Sequence, residues 1–348
     1  MQPAASIPRV SVIVPVHNGT LTIARCLSAL AQNPAGLFEV IVVDDRSTDT
    51  TAAIAAAHGA RVIANPERGG PAAARNAGAA IARGEILLFV DADVEVQPGT
   101  VAQIVAHLDR HPEIAGVFGS YDDDPAHPNF ASQYRNLLHH FIHQTAERRS
   151  SSFWAGCGAI RREVFVSAGG FDAARYPRPA TEDIELGLRL ARAGSEVHLA
   201  SEIQVKHLKA WTALSMMRSD IFDRAVPWSR LILDGGSMPA DLNLRWSHRL
   251  SAILSAVLLA TIVFLALGHR RFYGIPATGA AWLAGALLLI QLVPLDGAFY
   301  RFLLERRGPM FVLRVLPVHL LYYFYSGVTF CACWLWHQAG RPRMFRRA

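Results

Sequence analysis

The chain has 348 residues, 51% of them apolar, and a formal net charge of +6, with a mean hydropathy of +0.22. That length supplies a sizeable core and more than one structural unit. The apolar excess sits after about residue 249, which argues against a wholly soluble chain. Four cysteines, Cys26, Cys157, Cys331 and Cys333, show no spacing of a zinc or disulfide framework and read as buried, inert thiols. No basic helix with interleaved aromatics points to nucleic acid, and the positive charge suits an anionic membrane surface instead. The N-terminal MQPAASIPRV has no charged segment leading into an apolar one, so no signal peptide is expected and the first part of the chain is expected to fold in the cytoplasm.

Short apolar strands alternate with helical stretches through the first part of the chain. Val10–Val16 is the first strand, and Thr20–Leu30 follows as a helix with Leu21, Ala24, Leu27 and Leu30 on one face. Val40–Val43 is a second strand, ending at Asp44 and Asp45. Ser47 to Thr50 offers cap residues for a helix over Thr51–His58, and Arg61–Ala64 is a third strand. Residues 71–82 form a helix with proline in its first turn, and Ile86–Val90 is a fourth strand. This alternation predicts an α/β fold with a doubly wound, mostly parallel sheet. Right-handed crossovers then bring Asp44, Asp45, Asp91 and Asp93 to one rim.

The run LLFVDADVEV ends a buried strand on the carboxylates Asp91 and Asp93. Ligands of open α/β sheets bind beyond the carboxyl ends of the strands. Two acids there repel unless a cation lies between them. Carboxylate oxygens suit Mg²⁺ or Mn²⁺ held jointly with substrate phosphates, which points to a metal–diphosphate site. For the D-x-D alone, a solvated pair in a turn is the alternative.

SVIVPVHNG at Ser11–Gly19, VVDDRSTDTT at Val42–Thr51, GPAAARNAG at Gly70–Gly78, FVDADVEV at Phe89–Val96 and TEDIELGLRLARAG at Thr181–Gly194 occur in the order and spacing of family 2 glycosyltransferases. The resemblance covers about residues 9 to 210 and implies the GT-A fold. It implies that Pro15, His17 and Asn18 line the nucleotide base, where the family often has Tyr in place of His17. Asp44 or Asp45 would accept from base or ribose, with helix capping as the bland alternative for Asp45. Arg75 would meet the diphosphate, a guanidinium matching phosphate geometry; the alternative is an exposed helix arginine. Asn76 would bond nearby backbone. Asp93 would be the metal ligand and Asp91 would bond ribose or metal-bound water, with Mn²⁺ or Mg²⁺ as cofactor. Asp183 would be the general base and Glu182 would position sugar or acceptor, on a helix whose apolar side is Leu186, Leu190 and Ala193. Acids in a first helical turn also arise for dipole reasons alone. Trp154, Gly156 and Cys157 would border the sugar pocket, Trp154 being equally readable as core. Some relatives place a histidine near His207 to touch metal or phosphate; a structural histidine is the alternative. The acidic stretch Tyr121–Asp124 is expected on a loop.

Residues 211–248 mix Trp211, Met217, Phe222 and Trp228 with Arg218, Arg224 and Arg230, the pattern of interfacial amphipathic helices. Processive synthases carry Q-x-x-R-W in this region, whereas this chain has Asp220, Arg224 and Trp228, which favours a single transfer over polymerisation. Arg224 and Trp228 would face acceptor or lipid phosphate, or simply anchor in headgroups. The membrane region, 249–348, holds two or three transmembrane helices: Leu250–Gly268, Tyr273–Leu295 and Phe311–Trp336, the last interrupted by Arg314, Pro317 and His319. A cytoplasmic catalytic domain puts Arg301, Arg306 and Arg307 inside, as the positive-inside rule wants. Three full spans then put Arg341, Arg343, Arg346 and Arg347 outside, against it. The expectation is an inverting, membrane-anchored hexosyltransferase, with its catalytic domain (1–210) on the cytoplasmic side of a bacterial inner membrane. It would use a UDP- or GDP-sugar donor and a lipid or lipid-linked acceptor, with no nucleic-acid partner and an oligomeric state left open. Two rivals stand beside it: a GT-A nucleotidyltransferase, and a catalytically silent subunit that binds nucleotide sugar.

Overall fold

A computed structural model describes residues 9–33, 38–235, 246–267, 271–272 and 275–340. The chain divides into two compact units, Met1–Thr212 and Ala213–Ala348. In the first, β1 (Val10–Val16), β2 (Phe38–Asp44), β3 (Arg61–Ala64), β4 (Ile86–Val90), β5 (Val94–Val96), β6 (Gly116–Tyr121), β7 (Arg149–Ser150), β8 (Cys157–Arg161) and β9 (Val197–His207) form one sheet of order β3-β2-β1-β4-β8-β6-β9-β5, with β7 on β9. The β3-β2-β1-β4 half is parallel, β6 runs parallel to β9, and β8, β5 and β7 are antiparallel to their neighbours. The mostly parallel α/β sheet expected from the strand–helix alternation is present, with its antiparallel members beyond β4.

Strand alternation assigns the two faces. Val12, Val14, Leu88 and Val90 join one core with Cys26, Leu27 and Leu30 of α1 (Ile23–Ala31) and Val101, Ile104 and Leu108 of α4 (Thr100–Arg110). Phe89 turns to the other face and meets Phe153, Phe165 and Phe171, with ring centroids 5.2–6.3 Å apart. Further helices are α2 (Thr51–Ala57), α3 (Gly70–Ile81), α5 (Phe130–Gln144), α6 (Arg162–Ser167) and α7 (Glu182–Arg192). Helix α1 starts three residues later than its apolar pattern suggests: Leu21 is 94% exposed, and Ile23 and Cys26 supply the buried face instead. Ala193 is likewise an exposed cap residue rather than part of the apolar side of α7.

The second unit is helical. It comprises α8 (Ala213–Ser219), a π-turn (Asp220–Ala225), α9 (Val226–Gly235), α10 (Trp246–Ala266), α11 (Ala277–Ile290) extended by a π-turn to Leu295, α12 (Gly297–Arg307) and α13 (Pro309–Gln338), plus a two-strand ladder of β10 (Arg271–Phe272) and β11 (Ile275–Pro276). Among the described residues, three of its helices, Trp246–Ala266, Ala277–Leu295 and Pro309–Gln338, are long and apolar enough to cross a membrane. The unit buries several polar side chains and exposes large apolar ones. Ser251, Asp296 and Tyr323 hydrogen-bond inside the unit, while Ile253, Val263, Trp282 and Leu313 are exposed. Helix α13 runs unbroken through Pro317. Gly268 and Tyr273, at the expected ends of the first two spans, lie outside the described residues, as do Arg341, Arg343, Arg346 and Arg347.

One close approach governs where α7 sits. A Cβ on Gly187 would lie 2.4 Å from the backbone of Ser152 and Phe153. Substituting Gly187→Ala forces that helix away from the 152–155 segment, at a cost of about 1–3 kcal/mol. We expect a lower melting midpoint of the detergent-solubilised protein by scanning fluorimetry.

Candidate active site

The rim forms where β1, β2 and β4 end side by side, Val16 opposite Asp44. The loops after β1 and β2 are laced together: Asn18 N–H donates to Ser47 Oγ at 2.9 Å, and Thr48 N–H donates to Asn18 Oδ1 at 2.8 Å. His17 Nδ1 donates to the Asp45 carbonyl at 2.9 Å and Asn18 Nδ2 lies 3.3 Å from its Nε2, so the ring is fixed in one tautomer. Pro15, which has no N–H for a ladder, follows the last β1–β4 pair, Ile13 with Phe89. Asp44 accepts from Ser47 N–H at 3.1 Å. Asp45 does something the sequence did not suggest. Its carboxylate accepts from Asn65 Nδ2 (2.8 Å), Gly69 N–H (2.9 Å) and Gly70 N–H (2.9 Å), so it clips the start of α3. Those three bonds leave Asp44 as the better-placed acceptor for a ligand, and α2 is served by Asp49, whose Oδ1 accepts from Thr51 N–H at 3.0 Å.

Arg75 is neither an exposed helix arginine nor an arm free to reach a diphosphate. Its side chain is 5% exposed, with Nη1 on Glu182 Oε1 and Nη2 on Asp91 Oδ1, both at 2.7 Å. Its guanidinium lies over the Phe171 ring at 5.5 Å. Asn76, one residue on, exchanges two hydrogen bonds with the Phe171 backbone, at 2.7 and 2.9 Å. Arg75 therefore joins α3, the end of β4 and the start of α7. Glu182 Oε2 also accepts from Ala180 N–H at 3.0 Å, which makes Glu182 a buried anchor. Asp183, beside it and half-buried, accepts from Ala155 N–H at 3.1 Å.

The D-x-D is a turn rather than a strand. Val94 N–H donates to the Asp91 carbonyl at 2.9 Å and Asp91 N–H to Gly156 O at 3.1 Å. The two carboxylates part, Asp91 toward Arg75 and Asp93 toward His207. Leu208 N–H donates to the Asp93 carbonyl at 2.8 Å, and His207 Nε2 stands 3.8 Å from Asp93 Oδ2, beyond hydrogen-bond reach. His207 stacks on Tyr121 with centroids 4.2 Å apart. Asp93 and the His207 imidazole, 3.8 Å apart, are spaced to share a Mn²⁺- or Mg²⁺-type ion, whereas Asp91 is turned to Arg75. Asp122 and Asp124 of the acidic stretch pair with Lys206 at 3.2 and 2.8 Å.

Electrostatics follow from Arg75 among Asp91, Glu182 and Asp183, with Lys209 near Asp93. Burial and the Glu182 charge raise the Asp183 pKa to about 7, against the opposing pull of Arg75 and two backbone N–H groups. Burial likewise raises Asp91, with Arg75 opposing. Burial alone would raise Asp93, but His207 and Lys209 outweigh it and hold Asp93 below the usual carboxylate range.

Trp154 is half-buried against Tyr121, His139 and His143, at 4.8, 5.0 and 5.6 Å. A Cβ on Gly156 would lie 2.4 Å from that indole, so glycine is needed there for the ring to fit. Cys157, expected to border the pocket, is instead a core residue: it is fully buried in the β8 ladder and burial pushes its thiol up to about 12. Arg224 and Trp228 belong to the second unit, where Arg224 pairs with Asp220 at 3.7 Å. Sequence reasoning missed the aromatic wall of Tyr121, His139 and His143; its one local signal is the i, i+4 spacing of the histidines on α5.

The glycosyl transferase family 2 model matches residues 11–167. Residues 11–167, within the N-terminal unit, carry a family 2 glycosyltransferase domain. An uncharacterised protein of Mycobacterium tuberculosis (strain CDC 1551 / Oshkosh) is 27% identical to the chain over 248 residues, 65% of this chain and 76% of that protein. A validoxylamine A glucosyltransferase of Streptomyces hygroscopicus subsp. jinggangensis is 28% identical over 263 residues, and the match spans 64% of this chain and 62% of that enzyme, less than two thirds of its length. Among solved structures, a Pyrobaculum calidifontis mannosyltransferase in complex with GDP-Man and Mn²⁺ is 18% identical, with a TM-score of 0.49 over 96% of this chain and 88% of that one. The glycosyltransferase domain thus carries its D-x-D and its E-D pair on elements joined by a single arginine. Replacing Arg75→Met strands Glu182 in the interior, and we expect a loss of about 3–5 kcal/mol in denaturant unfolding.

Proposed function

We propose that the chain transfers a sugar from a UDP- or GDP-linked donor to a hydroxyl of a lipid or lipid-linked acceptor, with inversion at the anomeric carbon. The observation that carries this is the Arg75 bridge. It draws the D-x-D carboxylate Asp91 and the Glu182–Asp183 pair to one place at the strand ends, where ligands of such sheets bind. Asp44 accepts from base or ribose beside His17 and Pro15, and Asn18 holds the loop that frames them. Asp93 and His207 would hold Mn²⁺ or Mg²⁺, with Asp91, fixed by Arg75, toward ribose or metal-bound water; the ion when bound neutralises charge on the departing diphosphate. Asp183 takes the acceptor's proton as its oxygen bonds to the anomeric carbon, and Glu182, fixed by Arg75, sets where Asp183 points. Trp154 offers its face to the sugar.

The second unit supports a membrane setting. Its long helices expose large apolar side chains such as Ile253, Val263, Trp282 and Leu313 while Ser251, Thr261, Asp296 and His319 are buried, an arrangement suited to lipid rather than water. Helices α8 and α9, within the interfacial stretch expected over 211–248, of which residues 236–245 lie outside the described residues, act at the membrane surface, and the three long helices anchor the enzyme in a bacterial inner membrane with the catalytic domain cytoplasmic. A lipid-linked acceptor follows from that tethering. A membrane-free form with undiminished use of soluble acceptors would contradict it.

Two outcomes test the base. Asp183→Asn keeps donor affinity by calorimetry and loses transfer by about 10²–10⁴-fold. In the wild-type protein kcat/KM falls tenfold per pH unit on the acid side of about 7, because Asp183 must be ionised to accept a proton. The same shift acts oppositely on stability. A carboxyl whose folded pKa lies above its unfolded value contributes stability at low pH that is lost as pH rises through about 7. Unchanged transfer in the variant, or a flat profile through neutrality, contradicts the assignment.

A further inference from the structure

The far end of β9 carries a second group of side chains with metal-ligand chemistry, remote from the rim. His198 is the second residue of β9 and His207 its last, so about 30 Å of strand separates them. His198 meets His107, on α4, and His111, the residue that caps it. One potential ligand atom from each of the three lies within 4.8 Å of the others. Their ring centroids form a near-equilateral triangle of 4.9, 5.1 and 5.4 Å. His107 Nε2 and His198 Nδ1 are 3.1 Å apart, close to the about 3.4 Å between two nitrogens on one tetrahedral Zn²⁺.

The outer groups select the right nitrogens. His198 Nε2 donates to Glu196 Oε1 at 3.0 Å, which leaves Nδ1 unprotonated toward the cluster, where it accepts from His107 Nε2. His111 Nδ1 donates to Glu113 Oε1 at 3.2 Å, which leaves Nε2 bare. A carboxylate on the second nitrogen is the usual support of a metal-bound imidazole. The backbone is fixed as well: the Arg161 guanidinium donates to the carbonyls of Leu108, His111 and Ile114. His107 and His198 are buried, while His111 keeps 28% of its side chain exposed and gives solvent a way to the fourth position. The flanking cations are already paired, Arg149 with Glu196 at 3.6 Å and Arg148 with Glu202 at 3.7 Å.

We propose that His107, His111 and His198 form a binding site for a borderline divalent cation, Zn²⁺ foremost, which clamps the end of α4 to the start of β9. Three imidazoles suit Zn²⁺, whereas the carboxylate-rich rim suits Mn²⁺ or Mg²⁺, so the two sites separate by metal as well as by place.

The test uses full-length, tag-free protein in detergent, stripped with EDTA, loaded with Zn²⁺ and desalted before elemental analysis; Co²⁺ absorption reports tetrahedral coordination. One Zn²⁺ per chain is expected in the wild type and in Asp93→Ala. His111→Ala should lose it, and Glu196→Gln should weaken it about 10–100-fold. Zn²⁺ should raise the melting midpoint of the wild type and leave that of His111→Ala unchanged. His111→Ala is partly exposed and is checked for folding by its midpoint in EDTA; Glu196→Gln decides independently should it fail. Substoichiometric Zn²⁺ in the wild type, equal retention in both variants, or loss in Asp93→Ala would overturn the proposal.

Discussion

Everything at the rim depends on a single buried cation held between acids from two distant stretches of chain. Arg75 grips Asp91 on one side and Glu182 on the other, with Phe171 beneath it. Glu182 is buried and Asp91 partly so, and the guanidinium's fork meets both at once. Asp183 follows from the same crowding: its burial first and the adjoining Glu182 charge second raise it to about 7, against the pull of Arg75.

The site also lies where the sheet changes character. To one side of β4 the strands are parallel; to the other comes antiparallel β8, whose preceding segment carries Trp154 and Gly156 to the same edge. The turn after β4 lets the D-x-D serve both sides, Asp91 reaching back to α3 and Asp93 forward to the end of β9. A straight strand would have kept the two carboxylates on one face.

Much of this was legible in the sequence because it is written in local pattern. The strand at Ile86–Val90 is a continuous apolar run, Val10–Val16 is largely apolar and Arg61–Ala64 keeps a short apolar centre, and their ends share a rim as right-handed crossovers require. What was not legible is non-local. Arg75 and Glu182 stand far apart in the chain, and no spacing rule says that they meet, so Arg75 reads equally well as a phosphate arm. Asp45 reads as a ligand acceptor or a cap for the helix that follows it, yet its partners at Asn65, Gly69 and Gly70 lie across a whole β-α unit. Cys157 sits within a motif, but the alternation of β8 turns it into the core. Leu21 fits the helical period and is still outside the helix, because the loop bonds of Asn18 and Gly19 delay its start.

The account stands on Arg75 as an organiser of acids rather than a ligand of the diphosphate. The direct measurement compares wild type and Arg75→Gln in EDTA, titrating UDP against UMP and GDP against GMP, alongside the pH dependence of kcat/KM with metal restored. An organiser leaves the preference for diphosphate over monophosphate intact and moves the acid limb upward from about 7, since Asp183 loses the charge that opposes its neighbours. Collapse of that preference with the acid limb unmoved would contradict the account and return Arg75 to the diphosphate.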